Sequence, residues 1–287
     1  MKLLLYFFIL SVFVSCDESE NTESESLPES LPETISSEWY QKGKDSIRIL
    51  AHGGASAYEP FNSIPAFKKA FELEADGIEL DLMNSKDDSL MVFHDLNTKR
   101  FTGADYNLVD TNAEVLRTLN IGKGEKMPFL NEVFEILPPG KKIYLEVKWY
   151  EDPTARKNDR LIDRLIDQIE KSGRINDCVV VCLDIDYLIK IKLRKPELNL
   201  FWTNYDVENC KKAADLLSKY NLQGFSILSS IINLELSNSL VARNKFLFAW
   251  TIDDGNLALD LCRKYKINGI YTNKPDVIRL SLAKLIK

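Results

Sequence analysis

The chain has 287 residues, 45% hydrophobic and 28% charged, enough apolar material to bury the core of one large domain. A formal net charge of −6, with no strongly basic stretch, argues against a nucleic-acid partner. Aromatic residues at 10% and only 12 glycines exclude a fibrous or low-complexity chain.

Residues 1–15 have the pattern of a signal peptide. Lys2 supplies a positive charge, and Leu3 to Val14 is almost wholly apolar but too short to span a bilayer as a mature helix. The segment ends in Phe13-Val14-Ser15-Cys16, which resembles the lipobox of bacterial lipoproteins, where the cysteine carries the lipid and becomes the mature N-terminus. An ordinary cleaved secretory peptide is the alternative, and both readings place the protein outside the cytoplasm. With Cys16 as lipid anchor the expectation is a membrane-anchored lipoprotein on the periplasmic side or the cell surface, each buried CH₂ adding about 0.8 kcal/mol. Residues 16–44 are rich in Ser, Glu and Pro, with an echo in Leu27-Pro28-Glu29-Ser30 and Leu31-Pro32-Glu33-Thr34. Such a composition buries too little apolar surface to order itself, so a disordered tether is expected.

The folded part is expected over residues 45–287. Strand-like runs fall at Ile47–Ala51, Gly77–Met83, Leu90–Phe93, Lys142–Val147, Val179–Leu183, Leu198–Trp202, Gly224–Leu228, Phe246–Thr251 and Gly269–Thr272. Helical stripes lie between most of them. Ile64, Phe67, Ala70 and Phe71 form one, with Ser63 as N-cap and Pro65 in the first turn. Leu161, Leu165, Ile166 and Ile169 form a second, and Ala213, Leu216, Leu217 and Tyr220 a third. This alternation predicts an α/β barrel, and the rival open sheet lacks a Gly-rich dinucleotide turn. Nine strands are one too many for eightfold closure. The turn Lys86-Asp87-Asp88-Ser89 is too short for a parallel crossover, so a strand beside it is expected to be irregular or antiparallel near the barrel mouth. Leu96 to Gly140 reads as an insertion. Cys178, Cys182, Cys210 and Cys262 form no Cys-x-x-Cys pair and read as buried free thiols.

The chemistry-bearing residues cluster at strand ends, where barrels place their sites. The only two histidines, His52 and His94, follow the first and third runs. Glu79 and Asp81 are two apart in an apolar strand and face one side; Glu146 and Lys148 repeat the spacing. Three carboxylates in one barrel mouth repel one another unless a cation sits among them, and oxygen ligands suit Mg²⁺ or Ca²⁺ rather than zinc. Lys148 would be a point charge on a phosphate, although a structural ion pair with Glu146 is the alternative. Histidines, which take and give protons near neutrality, would serve as base and acid. Trp250 is either core or a wall of the site. A glycosidase using two of the carboxylates would leave both histidines and Lys148 without a task.

The ordered motifs His52-Gly53-Gly54, Pro60-Phe61-Asn62-Ser63, Ala75-Asp76-Gly77-Ile78-Glu79-Leu80-Asp81, Lys86-Asp87-Asp88, Phe93-His94-Asp95, Leu145-Glu146-Val147-Lys148, Trp250-Thr251-Ile252-Asp253 and Gly269 to Asp276 resemble the glycerophosphodiester phosphodiesterase family. The resemblance implies a TIM (β/α)8 barrel of the PLC-like phosphodiesterase type, a divalent cation, and hydrolysis of a small-molecule or lipid phosphodiester to an alcohol and a phosphomonoester. It implies His52 and His94 as the acid–base pair, Glu79, Asp81 and Glu146 as metal ligands, and Lys148 and Trp250 as substrate contacts. Two residues depart from the family motif: Gly53 stands where the family has arginine, and Phe61 where it has glutamate. The expectation is surviving chemistry with an enlarged, less polar pocket that admits a bulkier or lipid-like diester. The alternative is a catalytically weak, phosphate-ester-binding lipoprotein on the same barrel.

Overall fold

In the computed structural model, which describes residues 47–148 and 159–285, the strands follow the predicted runs to within two residues. They are β1 (Arg48–His52), β2 (Gly77–Asn84), β3 (Leu90–Val92), β4 (Lys142–Val147), β5 (Cys178–Cys182), β6 (Asn199–Asn204), β7 (Gly224–Leu228), β8 (Phe246–Trp250) and β9 (Gly269–Thr272). The expected signal peptide, Cys16 and the tether over residues 16–44 lie outside the described residues.

Eight of these strands are parallel in the order β1-β9-β8-β7-β6-β5-β4-β2, and β2 pairs back to β1 to close the barrel. The ninth, β3, runs antiparallel along the last residues of β2, from Leu82 opposite Val92 to Asn84 opposite Leu90. The five residues between the two strands leave no room for a crossover, so the chain folds straight back at the mouth. That is how nine apolar runs fit an eightfold barrel.

Alternation along each strand sorts side chains between two cores. On β2, Ile78, Leu80 and Leu82 face outward into the layer packed by the helices, which leaves Glu79 and Asp81 facing the barrel interior. Below them the interior is plugged by Leu50, Tyr144, Val179, Val181, Phe201, Phe246, Phe248 and Tyr271. Most of their ring pairs pack edge to face, with Phe201 and Phe248 centroids 5.0 Å apart, while Phe201 and Phe246 stack. The barrel interior below the acids is therefore filled, and the acids lie toward the end carrying the strand C-termini.

Outside, the helix Ile64–Glu72 buries Ala66, Phe67 and Ala70, and the Ser63 hydroxyl accepts from Ala66 N–H at its start. Arg160–Ser172 buries Ile162, Leu165 and Ile169, and Val207–Lys219 buries Ala213, Ala214 and Leu217. The insertion between β3 and β4 has its own small core of Met83, Met91, Phe93, Leu108, Leu116 and Met127. Arg117 grips Glu132 with both guanidinium nitrogens, at 2.7 and 2.9 Å, and so ties the insertion together. Cys178, Cys182 and Cys210 are buried free thiols and Cys262 is half-buried; burial pushes the Cys178 thiol up to about 12. No described helix is long and apolar enough to cross a membrane.

Lys192 is buried on the outer layer, where its ammonium donates to Pro196 O and Leu198 O, each at 2.8 Å. Burial first, and then the charge of Lys245, lowers its pKa to about 8. The unfolded chain then binds more protons than the folded one between about pH 8 and the ordinary lysine value near 10.4, so this group adds stability as pH rises through that window. Compared with Lys192→Met, the wild type should gain up to about 3 kcal/mol of unfolding free energy from pH 8 to pH 10.5. Denaturant melts of both proteins at the two pH values measure the difference; a gap that stays constant contradicts the assignment.

Candidate active site

Strand register assembles the acids. His52 lies opposite Glu79 across β1 and β2, and Asp81 lies opposite Glu146 across β2 and β4. One carboxylate oxygen from each of Glu79, Asp81 and Glu146 falls within 4.8 Å of the others. Each is held in place. Glu79 Oε2 accepts from Gly53 N–H at 3.0 Å, and Asp81 Oδ2 accepts from Asn62 Nδ2 at 2.7 Å. Lys148 lies 2.7 Å from Asp81 Oδ1 and 2.6 Å from Glu146 Oε1.

The electrostatics of this trio are unbalanced. Burial, then the charges of Asp81 and Glu146, raises the Glu79 pKa well above the usual carboxylate range. Burial acts on Asp81 in the same direction, but Lys148, His94 and His52 together hold it below its ordinary value. Lys148 stays charged despite burial because Asp81, Glu146 and Glu79 surround it. One lysine faces three carboxylates, and Glu79 Oε1 is buried with no hydrogen-bond partner among the described residues. An oxygen-only donor set with an orphaned buried oxygen and surplus negative charge fits a hard divalent cation.

Both histidines stand beside this cluster: His52 lies opposite Glu79 on β1, and Phe93, next to His94, donates its N–H to Asp81 O at 3.0 Å. His52 Nδ1 lies 3.0 Å from Asn273 Oδ1. The amide orientation of Asn273 is fixed, because its Nδ2 donates to the Asp253 carboxylate at 2.6 Å and its backbone N–H donates to Asp253 Oδ1 at 2.7 Å. A carboxylate only accepts, so Asn273 presents its oxygen to His52, Nδ1 carries the proton, and Nε2 is the atom left for substrate. Ser56 Oγ donates to the same Asn273 oxygen at 2.8 Å. His94 Nδ1 donates to Asp95 Oδ1 at 2.6 Å, which likewise leaves Nε2 for substrate.

Between the two imidazoles lies Phe61, 5.1 Å from the His52 ring and 6.2 Å from the His94 ring, edge-on to both. A Cβ on Gly53 would stand 2.3 Å from Phe61 Cε2, and Gly53 has φ +58. The expected enlargement of the pocket at Gly53 is therefore corrected: the phenyl ring fills the space that a side chain at position 53 would need. Gly53 and Phe61 are a matched pair.

Among the other expected residues, Lys148 is ion-paired with two of the acids, Asp81 and Glu146. Trp250 is half-buried at the C-terminal end of β8, packed on the aromatic plug, and its indole N–H has no partner among the described residues. Asn62, Asn273, Asp253 and Asp95 appear in the motifs above without an assigned role. Of these, Asn62 is buried at φ 59 and donates to Asp81, and its only signal in the sequence is its place in the Pro60-Phe61-Asn62-Ser63 motif.

The sequence profile of the glycerophosphoryl diester phosphodiesterase family matches residues 52–277, from the first histidine to the segment after Asn273. The chain belongs to this family. It is accordingly a phosphoric diester hydrolase. A glycerophosphodiester phosphodiesterase of Caldanaerobacter subterraneus subsp. tengcongensis is 29% identical over 245 residues, covering 80% of this chain and 95% of that one. Human lysophospholipase D GDPD1 is 30% identical over 128 residues, 40% of each chain. The fold also matches an Oleispira antarctica phosphodiesterase solved with its product sn-glycerol-3-phosphate, with TM-score 0.75 and 21% identity over 82% of this chain and 96% of that one.

Proposed function

We propose that this family member hydrolyses a glycerophosphodiester to an alcohol and a phosphomonoester, with His52 and His94 as the acid–base pair. The observation that carries the reading is the convergence of both histidines with Glu79, Asp81, Glu146 and Lys148 at the open end of the barrel. The family profile and the product named for the Oleispira antarctica enzyme support the substrate class.

A divalent cation, Mg²⁺ or Ca²⁺, held by Glu79, Asp81 and Glu146 would supply charge neutralisation at a phosphate oxygen. Lys148 adds a point charge to the same phosphate, and Asn62 and Gly53 N–H keep the acids in register. One histidine takes the proton of the attacking water at Nε2. The water oxygen bonds to phosphorus, the ester P–O bond breaks, and the other histidine's Nε2–H gives the leaving alkoxide its proton. The product is an alcohol and a phosphomonoester, with one water consumed. Trp250 closes one side of the site. We further propose that Cys16 anchors the protein outside the cytoplasm.

The test is product release from glycerophosphocholine by chelator-stripped protein as Mg²⁺ or Ca²⁺ is titrated back. Stripped protein should turn over at less than about 1% of the restored rate, a loss in the range attributed to charge-stabilising groups. Full turnover in excess chelator discards the cation, and no turnover on any glycerophosphodiester discards the hydrolytic reading.

A further inference from the structure

Phe61 is an unusual neighbour for a pair of proton-transfer groups. It places a half-exposed hydrocarbon ring against both histidines, where a diester's ester oxygens must pass. It does not stand alone. Phe101 stacks on it at 6.2 Å with an interplanar angle of 16°, Phe93 meets Phe101 edge-on at 5.3 Å, and the Arg100 guanidinium caps the Phe101 face at 4.5 Å. Together these rings form an apolar shelf that begins at the histidines and continues onto the insertion.

The shelf is built in. Asn62 N–H donates to Gly53 O at 2.9 Å, and the glycine's missing side chain lets the Phe61 ring lie flat against the backbone that carries His52. From the other side, Lys123 of the insertion reaches Tyr58 O at 2.7 Å and Glu59 at 2.9 Å, which pins the segment leading into Phe61. The rings of Phe61 and Phe101 offer no hydrogen-bonding atom, whereas a water-excluding contact with hydrocarbon strengthens in proportion to the apolar area covered.

We infer that Phe61, backed by Phe101, is the specificity-determining residue of this site, and that it selects a phosphodiester whose glycerol arm carries an apolar acyl group. This rests on the hydrolytic reading above and narrows its substrate class. The phosphate keeps its place at Lys148 and the acids, the leaving alcohol is unchanged, and the acyl chain lies along Phe61 and Phe101.

The test uses a matched pair with the same choline leaving group: glycerophosphocholine and its 1-hexanoyl ester, the latter below its micelle concentration. For each we measure kcat/KM with Mg²⁺ or Ca²⁺ present, and Kd by calorimetry. The wild type should favour the acylated diester by at least about tenfold, the low end of what an apolar pocket contact discriminates. Phe61→Leu should keep most of that ratio, while Phe61→Ala and Phe61→Glu should each lower it about tenfold through KM and Kd for the acylated diester. If Phe61 only fills the gap over Gly53, its variants will slow both diesters alike with the ratio unmoved, and the inference falls. A wild type that hydrolyses both diesters equally overturns it as well, while leaving the hydrolytic reading standing. Absent turnover with a tenfold preference in Kd does the reverse: the hydrolytic reading fails and the shelf is retained.

Discussion

His52→Ala and His94→Ala should each lower kcat on a glycerophosphodiester by about 10²–10⁴-fold, with little change in thermal stability. Both imidazoles are half-exposed at the rim, and among the described residues each makes only its Nδ1 hydrogen bond to Asn273 or Asp95, so removing either leaves no cavity in the core. The two residues act in one step, so the double variant should be scarcely slower than the worse single one. Single-turnover rates and melting curves for the three variants measure this. A variant that keeps more than a tenth of the wild-type kcat would remove that histidine from the proton transfers.

Glu79→Gln should abolish cation-dependent hydrolysis and at the same time stabilise the cation-free protein. In the fold Glu79 is a buried carboxylate with one oxygen unpartnered, facing two like charges. Its folded-state pKa lies above the unfolded value. Its favourable contribution is therefore complete only below the unfolded pKa and is lost as pH rises through the folded one. At neutral pH without a cation, the fold must hold this acid either ionised beside two like charges or protonated against its ordinary preference, a cost that glutamine does not carry. The amide still accepts from Gly53 N–H and can donate toward Asp81 or Glu146. Melting of the stripped proteins at neutral pH should place Glu79→Gln higher, by about 2–4 °C for each kcal/mol recovered in a domain of this size. Added Mg²⁺ or Ca²⁺ should raise the wild-type transition and leave the variant unmoved. A lower transition for Glu79→Gln in chelator would mean that the acid trio is a structural network rather than an incomplete cation site.

The barrel was legible because its strands are short apolar runs whose two faces are both buried, so even β3 announced itself by the turn that precedes it. Glu79 and Asp81 were legible for the opposite reason: acids in the middle of such a run conflict with burial, and only a ligand resolves the conflict. His52 and His94 showed as the ends of runs. What the chain order concealed lies across the seam of the barrel. Asn273 orients His52 from 221 residues away because β9 pairs with β1, and no local pattern carries that pairing. Lys148 reaches Asp81 as well as Glu146 because two strands share a register. Gly53 and Phe61 read as two departures from the family motif that together enlarge the pocket and make it less polar. Packing makes them one feature, a ring seated where a side chain is missing.

The central claim, that a cation completes the three acids beneath two histidines, is tested most directly by anomalous diffraction from a crystal of the wild-type protein equilibrated with Mn²⁺, an oxygen-seeking stand-in for Mg²⁺. A single strong peak within coordination distance, roughly 2.0–2.6 Å, of carboxylate oxygens from Glu79, Asp81 and Glu146 is the predicted result. A map with no peak among these residues, from crystals whose protein hydrolyses the diester, would contradict it.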